Sequence, residues 1–243
     1  MKFSSRILMD LQGISRKLLY NKHLTNIMKL CLVTNRQDHS FNWLVDIVEK
    51  AVKGGVTMVQ LREKNSVIDK ELISLAELLI EKLTPYKVPL IINDRVDICK
   101  ASGAQGVHLG QSDMHPDKAR KILGGDAIIG LSLENLEQAS IANGLNSINY
   151  VSASPVFHSN SKNDYKGLWK LEGLKDLTQI SKYPVMSIGG INMKNVTDII
   201  EAGSKGVAVI SAIQNQNCPQ EAAQMMYKKI NNSLEKYDNN RSR

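Results

Sequence analysis

Aromatic residues are scarce in this chain: tryptophan, tyrosine and phenylalanine together make 5% of 243 residues. That scarcity argues against the stacked aromatic platform on which single-stranded nucleic acid is held. Cysteine is scarcer still. Cys31, Cys99 and Cys218 are odd in number, widely spaced and form no CxxC pair. A disulfide framework and a zinc site of the Cys/His type are therefore excluded, and buried, reduced thiols are expected. No apolar run reaches the roughly 18 residues that span a bilayer, so no membrane partner is expected. Acid is almost missing from residues 1–27, where Asp10 stands alone, and no apolar stretch there forms the core of a secretory signal. Finally, no glycine follows the first strand-like run, where Asn35-Arg36-Gln37-Asp38-His39 stands. A dinucleotide-binding open sheet needs glycines at that turn.

The formal net charge of +7 invites a nucleic-acid reading that its distribution removes. Residues 1–27 carry a net +4 and residues 228–243 a net +3, which leaves the body neutral. The excess belongs to the ends, so no nucleic-acid partner is expected of the folded part. Three origins suit residues 1–27: an over-long start, since Met28 opens directly into a strand; an organelle transit peptide; or an extra helix packed on the body. The domain reading is an N-terminal extension over 1–27, a catalytic body over 28–228 and a basic polar tail over 229–243. The expected location is the cytoplasm, or an organelle if the extension is a transit segment. The sequence is compatible with a homo-oligomer and does not specify one.

What is present is alternation. Strand-like runs at Leu30 to Thr34, Met58 to Leu61, Leu90 to Ile92, Gly106 to Leu109, Ala127 to Leu131, Tyr150 to Ser152, Val185 to Ile188 and Val207 to Ile210 alternate with helical periodicity. The helical stretches include Asp69 to Leu83, with Leu72, Leu75, Ala76, Leu79 and Leu83 on one stripe, then Pro116 to Leu123, Glu134 to Ala142 and Asn195 to Ala202. The segments at 53–57, 101–107 and 201–207 echo one another as helix end, glycine turn and strand. Eight such units in one chain of ordinary globular composition predict a single-domain α/β fold, a closed (β/α)8 TIM barrel.

In such a barrel the C-terminal strand ends meet at one rim, where ligands are held. The polar residues expected there are Gln60, Arg62, Glu63 and Lys64 after strand two, Asn93 and Asp94 after strand three, and His108, Gln111 and Asp113 after strand four. Ser132 follows strand five, Ser159 to Lys162 follow strand six, Gly189-Gly190 follow strand seven and Ser211 follows strand eight. Asp94 and Asp113 facing each other suit Mg2+, a hard ion bound through one or two carboxylates plus substrate phosphate. The cationic groups suit a polyphosphate. The glycine backbone and the following helix start suit a second phosphate. Plainer readings stand beside these. Asp94 could cap the helix after it, Arg62-Glu63-Lys64 could be a solvated charge run, and Gly189-Gly190 could be only a tight turn. His108 reads better as a satisfied core histidine than as a base, and His39 and His115 as surface residues.

Gln60-Leu61-Arg62-Glu63-Lys64, Ile92-Asn93-Asp94-Arg95-Val96-Asp97, Gly106 to Asp113, Ile188-Gly189-Gly190-Ile191 and Val209 to Ile213 together resemble the thiamine phosphate synthases, in order over about Leu30 to Ala223. The resemblance implies a transferase that condenses a hydroxymethylpyrimidine diphosphate with a thiazole phosphate, releasing pyrophosphate after a dissociative step. It implies Asp94 and Asp113 as Mg2+ ligands and Gln60, Arg62, Lys64, Asn93, Ser132 and Lys162 as contacts to the pyrimidine diphosphate. Arg62, Lys64, Ser132 and Lys162 would carry the chemistry. Ser159, Ser161, Gly190, Ile210 and Ser211 would form the thiazole phosphate pocket. The chain departs from the family in having Ser159-Asn160-Ser161-Lys162 where Thr-x-Thr-Lys is usual, and in lacking glycines before Pro155. The runner-up readings are a thiazole tautomerase on the same fold and a non-catalytic thiamine-phosphate-binding barrel. The tautomerase carries a catalytic histidine where this chain has Glu134.

Overall fold

The computed structural model describes residues 23–63, 67–159 and 167–241. Eight parallel strands pair in chain order and close on themselves, β1 with β8. They are β1 (Leu30–Val33), β2 (Met58–Leu61), β3 (Leu90–Asn93), β4 (Gly106–Leu109), β5 (Ile128–Leu133), β6 (Tyr150–Ala153), β7 (Val185–Ile188) and β8 (Gly206–Val209). Around them run α1 (Phe41–Lys53), α2 (Asp69–Leu83), α3 (Val96–Ser102), α4 (Pro116–Leu123), α5 (Leu136–Ala142), α6 (Lys170–Ile180), α7 (Val196–Glu201), the short α8 (Ser211–Gln214) and α9 (Pro219–Arg241). The expected (β/α)8 barrel is the observed fold, with strand ends shifted by at most two residues. Two helices begin later than expected. Glu134 precedes α5, whose cap is Asn135 accepting from the Gln138 N–H, and α7 starts at Val196.

Side chains alternate across each strand. One set, such as Leu30, Leu32, Val59, Leu61, Val107 and Val207, packs outward against the helices. The other, with Cys31, Val33, Met58, Ile91, Tyr150, Met186 and Ala208, fills the barrel. Helical residues 23–27 close the bottom, and Leu24 and Met28 are buried in that inner cluster. The packed body thus includes part of the expected 1–27 extension; residues 1–22 lie outside the described residues. The C-terminal end also differs from expectation. Residues 229–241, read as a polar tail, continue α9, which packs on α1 and α7 and buries Ile230. One apolar residue per turn is enough to dock a helix end that composition alone scores as solvated. Cys31 and Cys99 are buried thiols as expected, whereas Cys218 is exposed. Among the described residues no helix is long and apolar enough to cross a membrane.

Candidate active site

Strand alternation decides what faces the mouth. The last inward positions of the eight strands or their exits are Val33, Gln60, Asn93, His108, Ser132, Ser152, Ile188 and Ile210, and all of them line one cavity of about 410 Å³. Register then brings distant motifs side by side, with Val33 opposite Gln60, Asn93 opposite His108 and Ser132 opposite Ser152. Arg62, Asp94, Asp113 and Gln111 complete the rim of the same cavity. A second cavity of about 600 Å³ adjoins it, lined by Ser159, Gly189, Gly190, Ile210 and Ser211. Ser154, Ile188, Ala208 and Ile210 are walls common to both. The expected pyrimidine-side residues therefore meet in one space and the expected thiazole-side residues in the next. Lys64, Ser161 and Lys162 lie outside the described residues.

The acid pair is in contact. Asp94 has φ 63°, a left-handed turn, and its N–H donates to the His108 carbonyl at 2.8 Å. That anchor ties the exit of β3 to β4. The helix that follows has Arg95 as its cap with no side-chain capping bond, so Asp94 is not serving as the cap. The Gly110 N–H donates to Asp113 Oδ2 at 2.7 Å and holds the second carboxyl over a tight turn. Desolvation first, then the hydrogen bond and charge of Asp113, push the Asp94 carboxyl up to about 6, against a lowering by Arg62. Two carboxyls this close need a proton or a cation between them. Beside them Gln60, almost fully buried, donates from Nε2 to Asn93 Oδ1 at 3.3 Å.

Arg62-Glu63 is not a solvated charge run. Arg36 Nε meets Glu63 Oε2 at 2.7 Å, with side-chain exposures of 14% and 4%. The Arg36 guanidinium also lies 4.9 Å from the Phe41 ring centroid. The buried pair staples the exit of β1 to the exit of β2, beside Arg62. Cutting it from one side leaves a charge without its counterion. Glu63→Ala is expected to destabilise the fold by about 3–5 kcal/mol, while the apolar double change Arg36→Met with Glu63→Leu recovers most of that. Denaturant unfolding of the three chains checks it, and a Glu63→Ala midpoint equal to the parent's would contradict it.

On the other side of the mouth, Gly189 (φ 103°) and Gly190 (φ 64°) both sit where side chains are strained. A Cβ on Gly189 would fall 2.4 Å from Pro155 Cβ, and one on Gly190 would fall 2.5 Å from the His158 carbonyl. Although this chain lacks the glycines usual before Pro155, the backbone still comes close there, from the β7 side. The Val156 and Phe157 N–H groups donate to the Ile188 and Gly189 carbonyls, so the strand-six loop continues the sheet over the glycines. The Asn192 and Asn195 side-chain amides both donate to the Gly190 carbonyl, at 3.2 and 3.0 Å. Gln214 is buried after β8 and exchanges two hydrogen bonds with the Asn35 backbone. Sequence reasoning missed Asn192, Asn195, Gln214 and Ser154. The asparagines were legible as a pair one helical approach after Gly-Gly; Gln214 and Ser154 carry no local signal.

The expected surface histidines are exposed, His39 stacked on Trp43 and His115 accepting from the Asp117 N–H at the start of α4.

The family model described as TMP-TENI, thiamine monophosphate synthase, matches residues 30–213. The chain belongs to the thiamine monophosphate synthase family. It is 45% identical over 199 residues to a thiamine-phosphate synthase of Leptospira biflexa, covering 81% of this chain and 94% of that protein. It is 42% identical over 198 residues to one of Clostridium novyi, covering 82% and 96%. Among solved structures, a thiamine phosphate pyrophosphorylase from Pyrococcus furiosus superposes with a TM-score of 0.78 at 32% identity, over 87% of this chain and 99% of that one. A 3-hexulose-6-phosphate synthase at 16% identity and TM-score 0.64 has the same fold.

Proposed function

We propose that this mouth condenses a hydroxymethylpyrimidine diphosphate with a thiazole phosphate, giving thiamine monophosphate and pyrophosphate. Membership of the family supports the reaction. The observation that carries it is the pair of adjoining cavities with common walls, one lined by acids and amides and the other built on glycine backbone at positive φ. Two different phosphate-bearing ligands fit side by side there, with their reacting ends meeting near Ser154, Ile188 and Ile210.

The chemistry asks for orientation and charge neutralisation rather than a covalent intermediate. The bond between the pyrimidine methylene carbon and the diphosphate oxygen breaks, and its electron pair leaves on oxygen. The thiazole nitrogen lone pair then closes on the carbon. Arg62 neutralises the leaving group, and Lys64 and Lys162 are assigned the same role by their motifs. Gln60, Asn93 and Ser132 hold the pyrimidine side. Ser159, Ser161, Gly190, Ile210 and Ser211 hold the thiazole phosphate. Asp94 and Asp113 fit a Mg2+ ion: they touch, one is pushed up, and among the described residues no third Asp, Glu, His or Cys joins them. That donor set suits an ion that completes its shell with diphosphate and water. Bound there, it would supply further neutralisation of the leaving diphosphate. We assign the enzyme to the cytoplasm, where the buried thiols Cys31 and Cys99 stay reduced, with small molecules as its partners.

The test is pyrophosphate release with both substrates and Mg2+. Release only when both are present supports the reading, and isomerisation of the thiazole alone would replace it with a tautomerase. A pH dependence follows from Asp94. Its carboxyl moves from 3.8 to about 6 on folding. Between those values the folded state binds more protons than the unfolded, so metal-free stability falls as pH rises through that window. Mg2+ must displace the proton below about 6 and relieves the repulsion above it. Millimolar Mg2+ is expected to raise the melting temperature more at pH 8 than at pH 5; equal shifts at the two pH values would argue against the acid pair as its site.

A further inference from the structure

His108, Gly130 and Tyr150 form one row across β4, β5 and β6, because register pairs His108 with Gly130 and Gly130 with Tyr150. The missing side chain at 130 is what lets the outer two meet. A Cβ there would fall 2.2 Å from Tyr150 Cζ and 2.5 Å from His108 Nδ1. Across that gap the Tyr150 hydroxyl lies 2.9 Å from Nδ1. On the other edge of the ring, Nε2 lies 2.9 Å from Ser132 Oγ, one step nearer the mouth. All three line the same cavity, with Ser132 one step nearer its mouth.

We infer that His108 is a positioning residue: Tyr150 fixes its tautomer, and that tautomer turns the Ser132 hydroxyl so that it donates into the cavity, to an unprotonated ring nitrogen of the pyrimidine. The inference rests on the placing of the pyrimidine against Ser132 proposed above.

The direction of each bond follows from counting hydrogens. Tyr150 is buried, and its hydroxyl has His108 Nδ1 as its hydrogen-bond partner among the described residues. A buried O–H left without an acceptor is costly, so it donates, and Nδ1 is the bare nitrogen. Burial keeps that phenol protonated by raising it well above its usual range, and Cys31 nearby is pushed up to about 12, so no anion competes for the proton. The neutral imidazole then carries its hydrogen on Nε2 and donates to Ser132 Oγ. With that lone pair taken, the Ser132 hydrogen is left to point into the cavity. The strand end cannot swing away, because Gln111 Nε2 donates to the Ser132 carbonyl at 2.5 Å. An aminopyrimidine offers both acceptors, on its ring, and a donor, on its amino group. A serine committed as donor selects the ring nitrogen and so fixes which edge of the ring faces β5.

The experiment has a structural arm and a kinetic arm, both on the full chain. With 15N-labelled histidine, the five ring systems are assigned by variants, and ring-nitrogen shifts report which atom carries hydrogen. His108 is expected to show a bare Nδ1 and a protonated Nε2, and Tyr150→Phe to convert it to a mixture of tautomers. A wild-type His108 with hydrogen on Nδ1 overturns the inference. In kinetics, His108→Gln is expected to raise KM for the pyrimidine diphosphate about tenfold, the worth of one oriented hydrogen bond, with KM for the thiazole phosphate unchanged. Ser132→Ala should do the same, and adding His108→Gln to it should cost nothing more, because the histidine acts through the serine. Multiplying losses, or equal loss for both substrates, overturn it. Tyr150→Phe, which keeps the ring packing, carries the test if His108→Gln does not fold. A wild-type chain without turnover refutes the proposed reaction instead, and leaves the tautomer measurement standing on its own.

Discussion

Asp113→Ala is expected to lower turnover by about a thousandfold or more, the scale on which losing charge stabilisation at a reacting centre is felt, because the Mg2+ that Asp113 would hold is lost with it. The fold should hardly notice. Asp113 accepts one hydrogen bond from the Gly110 N–H, and losing it costs about 1 kcal/mol. Against that loss, the change leaves the desolvation of the Asp94 carboxyl in place but removes the further upward push from Asp113. The two effects oppose each other, so metal-free melting should move little, while the Mg2+-induced rise in melting temperature should vanish. Asp113→Asn keeps an acceptor for Gly110 and removes the charge, and it should match the alanine variant in activity. Steady-state rates and melting curves of both variants decide the matter. Turnover within about tenfold of the parent would remove the acid pair from the chemistry.

Gly190→Ala is expected to act on the other substrate. Its φ of 64° costs an alanine about 1 kcal/mol by itself. The new Cβ would also sit 2.5 Å from the His158 carbonyl and 2.8 Å from Phe157 Cβ. The strand-six loop must retreat, and that loop lines the thiazole-side cavity through His158 and Ser159. A shift of about 1 Å in a binding loop is worth on the order of a hundredfold, so KM for the thiazole phosphate should rise by about that factor. KM for the pyrimidine diphosphate should stay near the parent's. Bisubstrate kinetics separate the two constants, and a rise shared equally by both would mean that the glycine serves the barrel rather than the pocket.

Much of the site was legible as short local strings. Asn93-Asp94, Gly110 to Asp113 and Gly189-Gly190 each close a strand-like run, so their place at the mouth followed once eight strands were counted. Charge and composition misled at the C-terminal end, because the buried Ile230 outweighs the polar residues around it when α9 lies on α1 and α7. At Arg62-Glu63 the place after a strand-like run already told against a solvated charge run, but the counterion, Arg36, comes from another strand exit and has no local signal. Cys218 was expected to be a buried, reduced thiol like the other two, on cysteine spacing and the rarity of cytosolic disulfides, but it stands on the exposed approach to α9.

Periodicity and glycine turns in the chain alone determined eight β/α units and the motif at each strand exit, because those signals are local and repeat. Only the tertiary structure decided that Tyr150 reaches His108 through the gap at Gly130, that Arg36 neutralises Glu63, and that two cavities have Ile188 and Ile210 as common walls. Those partners are far apart in sequence, and their meeting depends on strand register and the closing of β1 onto β8, which no local pattern encodes.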